Sequence, residues 1–249
     1  MTASGITIGV AAYNEQAIIV ETVQEILRSL EGVKREIEIL LLDDASTDGT
    51  SAYCQQAERM SPTVKYIRNE ANLGFGGVYF RGAQLATKAW YMVLPGDNGV
   101  DSSSIRRMLD VVGQADVVVS YTMNPEFRRV GRRLLSALFI WLLNRISGRR
   151  LRYYNGPIIC RTHHVRALDR ISSSFAFHAE VLCQLLERGA SVVEVGVMRQ
   201  EYPGRRSNAF RLHNIVGVGK TLLKLIVNKV ARTPSAAVVP VSPSIAPHS

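Results

Sequence analysis

Cysteine is scarce in this chain. Cys54, Cys160 and Cys183 are the only three among 249 residues, they stand far apart, and no CxxC pair occurs. Neither a disulfide framework nor a cysteine zinc site is indicated, and a reducing compartment fits best. Long apolar runs are also missing: the longest in the middle, LLSALFIWLL (134–143), is about half of the ~20 residues that a membrane-spanning helix needs. The N-terminus, MTASGITIGVAAYNE, has no basic n-region and no cleavage site, so no signal peptide is expected. Internal repeats are absent. Acidic residues are the minority, 21 against 30 Lys and Arg, for a net charge of +9. A surplus of that sign suits an anionic partner, whether nucleic acid, an acidic membrane surface or a phosphorylated ligand.

What is present is strand and helix in alternation over the first 120 residues. ITIGVAAY (6–13) reads as a buried strand, and residues 16–31 carry Ile18, Ile19, Val23, Ile26, Leu27 and Leu30 at helical spacing. EIEILLLDD, VKYIRN, AWYMVL and ADVVVSY read as further strands, with helices expected over TDGTSAYCQQAERM, 77–88 and 103–113. Near-continuous apolar strands separated by helices predict an α/β fold, a parallel sheet covered on both faces. One domain over 1–231 is expected. The second half is more basic: eight arginines fall within 126–152, a long basic helix is expected over 208–231, and residues 232–249, rich in Pro, Ser and Ala, read as a disordered tail.

In open α/β sheets ligands collect outside the carboxyl ends of the strands. Four loops follow strands here: YNE (13–15), DDASTDGT (43–50), NLGFGG (72–77) and PGDN (95–98). Ser46 or Asp48 suits an N-cap of the next helix, but the adjacent pair Asp43 and Asp44 is harder to explain by capping. Ionised carboxylates only accept hydrogen bonds, which suits a ribose hydroxyl or a base N–H. The glycine spacing of NLGFGG is wrong for a dinucleotide fingerprint. Asp97 is either a turn residue in PGDN or a ligand to a hard divalent cation, Mg²⁺ or Mn²⁺, bridging to a diphosphate.

Together these loops resemble glycosyltransferase family 2, the inverting nucleotide-sugar enzymes of GT-A fold, and within it the polyprenyl-phosphate sugar transferases of dolichol-phosphate mannosyltransferase type. The likeness covers about residues 5–227. AAYNE resembles the P-x-YNE motif, DDASTDGT the D-D-x-S-x-D-x-T motif and NLGFGGVYFRGAQLA the N-x-G-x-G-x-A segment. The resemblance implies that Tyr13, Glu15, Asp43 and Asp44 contact the nucleotide, with Gly74 and Arg81 passing near the donor. Asp97 takes the place of the metal-binding Asp of D-x-D, with Asn98 as an added oxygen ligand, while Pro95 stands where the first Asp would be. RRVGRRLLSALFIWLLNRISG is similar to R-x-x-S-x-N, through Arg133, Ser136 and Asn144, and YYNGPIICR stands where a sugar-side loop is found. FAFHAEVLCQLLERGASVVEVGV brings Glu180, and RQEYPGRRSNAFRL resembles a phosphate-side loop with Arg199, Arg205, Arg206 and Ser207.

The implied function is transfer of a hexose from a nucleoside-diphosphate sugar to polyprenyl phosphate or another lipid acceptor, with Mg²⁺ or Mn²⁺. The implied place is the cytoplasmic side of a membrane surface, with an integral-membrane partner open and nucleic acid not expected. Asp97 and Arg199 would meet the leaving diphosphate. Glu180 would be a base only for a hydroxyl acceptor, which is one rival reading. The other is a non-catalytic module that binds sugar nucleotides or nucleic acid. His163, His164 and His178 read as structural or surface residues.

Overall fold

The computed structural model describes residues 5–124, 130–168 and 177–200. The elements in chain order are β1 (Ile6–Ala12), α1 (Ile19–Ser29), β2 (Ile37–Asp43), α2 (Thr50–Glu58), β3 (Val64–Arg68), α3 (Gly74–Leu85) and β4 (Trp90–Pro95). They continue with α4 (Ser102–Asp110), β5 (Val117–Thr122), α5 (Val130–Ser147), β6 (Ile158–Arg161), α6 (Thr162–Arg166), α7 (Phe177–Glu187) and β7 (Val192–Val197).

Because side chains alternate across a strand, each strand serves two cores. Ile6, Ile8 and Val10 of β1, with Trp90, Met92 and Leu94 of β4, pack against α1, α2 and α4 through Val23, Ile26, Ala57 and Met108. Tyr91 and Val93 turn the other way and meet Tyr79 and Ala83 of α3 and Leu182 of α7. The sheet is therefore covered on both faces, in the order β3-β2-β1-β4-β6-β5-β7. Pairings among β1, β2, β3 and β4 are parallel, as is β5 with β7. Among the described strands only β6 runs opposite, between β4 and β5. The carboxyl ends of six strands thus share one rim with the start of β6.

Two elements differ from the sequence reading. The segment expected as a sugar-side loop, YYNGPIICR, is loop only up to Pro157, after which Ile158–Arg161 forms β6. A four-residue strand is too short to show a period. Helix α3 begins at Gly74 instead of 77, with Gly74 at φ +69°, so the glycines lie inside its first turn. Residues 208–231, the tail 232–249, and Arg205, Arg206 and Ser207 lie outside the described residues.

One glycine fixes how closely α3 lies on the sheet. A Cβ on Gly82 would fall well inside contact distance of Tyr91 Oη and 2.9 Å from Leu42 Cδ1, and that hydroxyl is held in place by donating to Tyr79 O at 2.9 Å. Gly82→Ala should therefore cost about 1–3 kcal/mol by overpacking, read as a lowered denaturation midpoint, and Tyr91→Phe in the same chain should recover part of the loss.

Candidate active site

The first two loops of the rim are sewn together by side chains. Asn14, at φ +56°, receives hydrogen bonds on its Oδ1 from Thr47 N at 2.9 Å and Thr47 Oγ1 at 3.3 Å, while its own N donates to Ser46 Oγ at 3.1 Å. Glu15 N donates to Thr50 Oγ1 at 2.8 Å, and Gly49 N to Gln16 Oε1 at 2.7 Å. An asparagine accepts the left-handed backbone more readily than most residues, so its place in YNE has a local cause. Asp48 ties down the start of α2, accepting from Thr50 N at 2.9 Å. Glycine occupies the cap position itself, with no side-chain bond, and Ser46 faces Asn14 instead. Tyr13 projects from this double loop, 47% exposed.

The two adjacent carboxylates do different things. Asp43 ends β2 and is fully buried. Its Oδ1 accepts from Ser46 N at 2.9 Å, and its Oδ2 from Ser51 Oγ at 2.6 Å, Tyr66 Oη at 3.1 Å and Arg68 Nη1 at 2.9 Å. Arg68 also donates to Ser51 Oγ and, through Nη2, to Ser46 O at 2.9 Å. Burial opposes ionisation of Asp43, but the bonds from Ser46, Ser51 and Tyr66 outweigh it and hold the carboxyl below its ordinary range. Asp44 turns to the other face. It accepts from Asn69 Nδ2 at 2.8 Å, Leu73 N at 2.8 Å and Gly74 N at 2.9 Å. The cap residue of α3, Leu73, offers no side-chain bond; Asn72 Oδ1 accepts from Gly74 N at 3.2 Å, and a carboxylate thirty residues back in the chain bonds the first amides and complements the helix dipole. Gly74 is thus at the rim, whereas Arg81 is exposed and lies two turns further on, about 10 Å along the helix.

The loop after β4 is pinned from below. Gly96 N donates to Ala11 O at 2.7 Å, and Gly96 O accepts from Thr22 Oγ1 at 2.9 Å. A Cβ on Gly96 would stand 2.9 Å from Ala11 O, so only glycine lets the loop lie this close to β1. Pro95, the last residue of β4, aligns with Ala11. Asp97 accepts from Gly99 N at 3.0 Å on Oδ1, and Asn98 follows at φ +52° and buried. Asp101, the second carboxylate of this stretch, is the cap of α4, accepting from Ser104 N at 2.5 Å.

Arg199, just past β7, joins Asp97. A Cβ placed on Gly99 would lie 2.8 Å from Asp97 Oδ1 and 3.4 Å from Arg199 Nη2, so a carboxylate and a guanidinium flank one glycine. Arg199 also forms a bridge with Val100. Among the described residues no group of three His, Cys, Asp or Glu stands together as a ready metal cage. The donors at hand are the oxygens of Asp97 and Asn98, which fit a hard cation that takes its other ligands from substrate phosphates and water, as Mg²⁺ does.

Glu180 lies in the first turn of α7 and is buried. That turn rests on the first turn of α3, with Phe75 at 5.1 Å from Phe177 and 5.7 Å from His178 between ring centroids. His178 is in the core rather than on the surface, and burial pushes its imidazole down to about 3; it stays neutral at working pH. The three thiols are buried and free, and burial raises each to about 12, so none is a nucleophile. On α5, Arg133 is exposed and Ser136 half-buried. Asn144 binds the loop behind it, donating to Leu151 O at 3.1 Å and accepting from Leu151 N at 2.9 Å and Tyr154 Oη at 2.9 Å. Sequence reading missed Arg68, Tyr66 and Ser51 around Asp43, and Asn124 behind Arg199. None sits in a motif: the start of α2 brings Ser51 to Asp43, the pairing of β2 with β3 brings Tyr66 and Arg68, and that of β5 with β7 brings Asn124 to Arg199.

A mostly parallel seven-stranded sheet with helices on both faces and acidic loops gathered at its carboxyl rim is the GT-A architecture of glycosyltransferases. Residues 7–173 match glycosyl transferase family 2, and the chain belongs to that family. It is a glycosyltransferase. An undecaprenyl-phosphate mannosyltransferase of Micrococcus luteus is 26% identical over 199 residues, 76% of this chain and 80% of that protein. The succinoglycan biosynthesis protein ExoO of Rhizobium meliloti is 35% identical over 105 residues, 42% of this chain; the match spans only 29% of ExoO. Among solved structures, glucosyl-3-phosphoglycerate synthase of Mycobacterium tuberculosis, in complex with Mn²⁺, UDP and glucosyl-3-phosphoglycerate, matches with a TM-score of 0.67 at 15% identity. It covers 94% of this chain and 82% of that one, a likeness of fold.

Proposed function

We propose that this glycosyltransferase moves a hexose from a nucleoside-diphosphate sugar to polyprenyl phosphate at a membrane surface, with inversion at the anomeric carbon. The observation that carries the lipid part is the outer face of α5. Leu134, Leu135, Leu138 and Trp141 are 68%, 52%, 54% and 59% exposed, with Arg133 beside them and Arg145 within 5.9 Å of the Trp141 ring. Buried helices hide such residues, and an exposed apolar row edged by arginines fits an anionic lipid interface. No described helix is long and apolar enough to cross a membrane, so attachment at the surface is the form this reading takes. The mannosyltransferase relative, matched over most of its length, supports the same acceptor class.

In the reaction, an oxygen of the lipid phosphate attacks the anomeric carbon as the bond from that carbon to the donor diphosphate breaks, and the nucleoside diphosphate leaves with the electron pair. A phosphate is already ionised near neutral pH, so no base is required. Tyr13, Glu15 and Gly74 form the nucleotide side of the site, and Asp43 and Asp44, expected from sequence to contact the nucleotide but buried and bonded within the protein, serve it by fixing the shape of its loops. Arg199 meets the charge that develops on the leaving diphosphate. Asp97, with Asn98, would hold Mg²⁺ or Mn²⁺, whose chemistry is to neutralise the diphosphate oxygens. Arg133 and Ser136, with Arg205, Arg206 and Ser207 beyond the described residues, are assigned to the acceptor phosphate, and Arg81 to the outer donor side. Glu180 then serves as no base, and Glu180→Gln should retain transfer to lipid phosphate.

The test is incubation with Mn²⁺ and radiolabelled UDP- or GDP-sugars, with and without a short polyprenyl phosphate. Label is expected in the lipid fraction only when the lipid phosphate is present. Transfer to a hydroxyl acceptor with loss of activity in Glu180→Gln would replace this reading, and no donor consumption in any combination would end it.

A further inference from the structure

We infer that Asn124 is a positioning residue for Arg199: its side-chain amide prolongs the β5–β7 pairing by one step and sets the guanidinium beside the Asp97 loop. The inference rests on the proposed role of Arg199 at the diphosphate.

Strand β5 pairs with β7 in parallel register up to Thr122 and Val197, and Met123 N still donates to Val197 O at 2.9 Å. There the main-chain ladder ends. The buried side chain of Asn124 takes over, donating from Nδ2 to Arg199 O at 2.9 Å and accepting on Oδ1 from Arg199 N at 3.1 Å. A side-chain amide places an N–H donor and a carbonyl acceptor side by side in one plane, like a peptide unit, so it satisfies both main-chain groups of one residue at once. The opposite side of the same segment is held by the bridge from Arg199 to Val100 and by Gln200 N donating to Gly99 O at 3.2 Å. Arg199 is thus clamped between the end of β5 and the loop that carries Asp97. Gly99 is the point where the two charged groups approach. Without the amide, two main-chain groups of Arg199 lose their partners, and the segment is held from the loop side alone.

The consequence is kinetic. A guanidinium that meets charge appearing on the leaving group acts in the transition state, so misplacing it lowers kcat more than it raises the donor KM. Asn124→Ala should lower kcat by roughly tenfold to a hundredfold and leave the donor KM within about twofold. Asn124→Asp keeps the acceptor for Arg199 N but loses the donor to Arg199 O, and should fall with the alanine variant. Because both residues act through one guanidinium, Asn124→Ala combined with Arg199→Ala should be no slower than Arg199→Ala alone.

Amide hydrogen exchange supplies a readout independent of activity. In Asn124→Ala and Asn124→Asp, exchange should accelerate over 198–200 and 99–100 and stay unchanged over 37–43. If exchange in those segments matches the wild type, if kcat stays within about twofold, or if the loss adds in full to that of Arg199→Ala, the inference is overturned. Should the wild-type chain transfer no sugar from any donor, the functional reading fails, and the exchange result alone decides whether Asn124 holds Arg199. A variant that unfolds outright counts against a positioning role when Asn124→Ser unfolds as well.

Discussion

Asp97→Asn is expected to lower divalent-cation-dependent sugar transfer by more than about a hundredfold while leaving the denaturation midpoint close to that of the wild type. The asparagine is isosteric and still offers an oxygen to Gly99 N, the bond that shapes the turn at 3.0 Å. What it lacks is the negative charge. No other carboxylate or imidazole cluster among the described residues can hold a cation in its place, and Pro95 has no side-chain oxygen to substitute. Transfer should therefore fall in kcat and lose its response to added Mn²⁺, measured by donor turnover across a metal titration. Asp101→Asn is the matched control: that side chain caps α4 by accepting from Ser104 N, asparagine caps a helix about as well as aspartate, and both stability and turnover should stay close to the wild type. Full activity in Asp97→Asn would reduce the PGDN stretch to a turn.

The second large effect is on stability. Asp43→Ala removes the common acceptor of Ser46 N, Ser51, Tyr66 and Arg68 at the junction of β2, α2 and β3. The loss should be about 3 kcal/mol, counting roughly one for each buried donor and discounting Arg68, which is half exposed and regains water. Its pH dependence has a definite sign. The folded carboxyl lies below its ordinary value, so the folded state binds that proton less readily than the unfolded chain does. The contribution is complete above the unfolded value of about 4 and is lost as pH falls through the lower folded value. Chemical denaturation from about pH 6 to pH 2.5 should show a steeper fall for the wild type than for Asp43→Asn. Equal slopes would mean that Asp43 is not held ionised by its neighbours.

These two aspartates mark what can be read without a structure. The type and order of the first nine elements follow from apolar period and turn residues, because a strand buried on both faces and an amphipathic helix each need their own spacing. The rim loops follow too, since glycine, asparagine and aspartate gather where chains must turn and bind. The roles within the rim do not follow. Asp97 and Asp101 look alike in YMVLPGDNGVD, yet one faces the amide of Gly99 beside Arg199 and the other caps a helix. Asp43 and Asp44 are neighbours in sequence but point to opposite faces of the sheet, one into a cluster with Arg68, the other onto the amides of α3. His178, open in sequence between a structural and a surface place, is buried in the core.

The α/β alternation, the four loops that end the early strands and the family motifs are legible in sequence because residues close together in the chain carry them, and the positive charge because it is a simple sum. The antiparallel run of β6 inside the sheet, the meeting of Asn124 and Arg199 across β5 and β7, and the reach of Arg199 to the Asp97 loop from about a hundred residues away are visible in the folded chain alone. The reason is physical. Spacing along a chain fixes which faces are apolar, whereas strand order and register fix which side chains meet, and register is settled by the packing of the whole sheet at once.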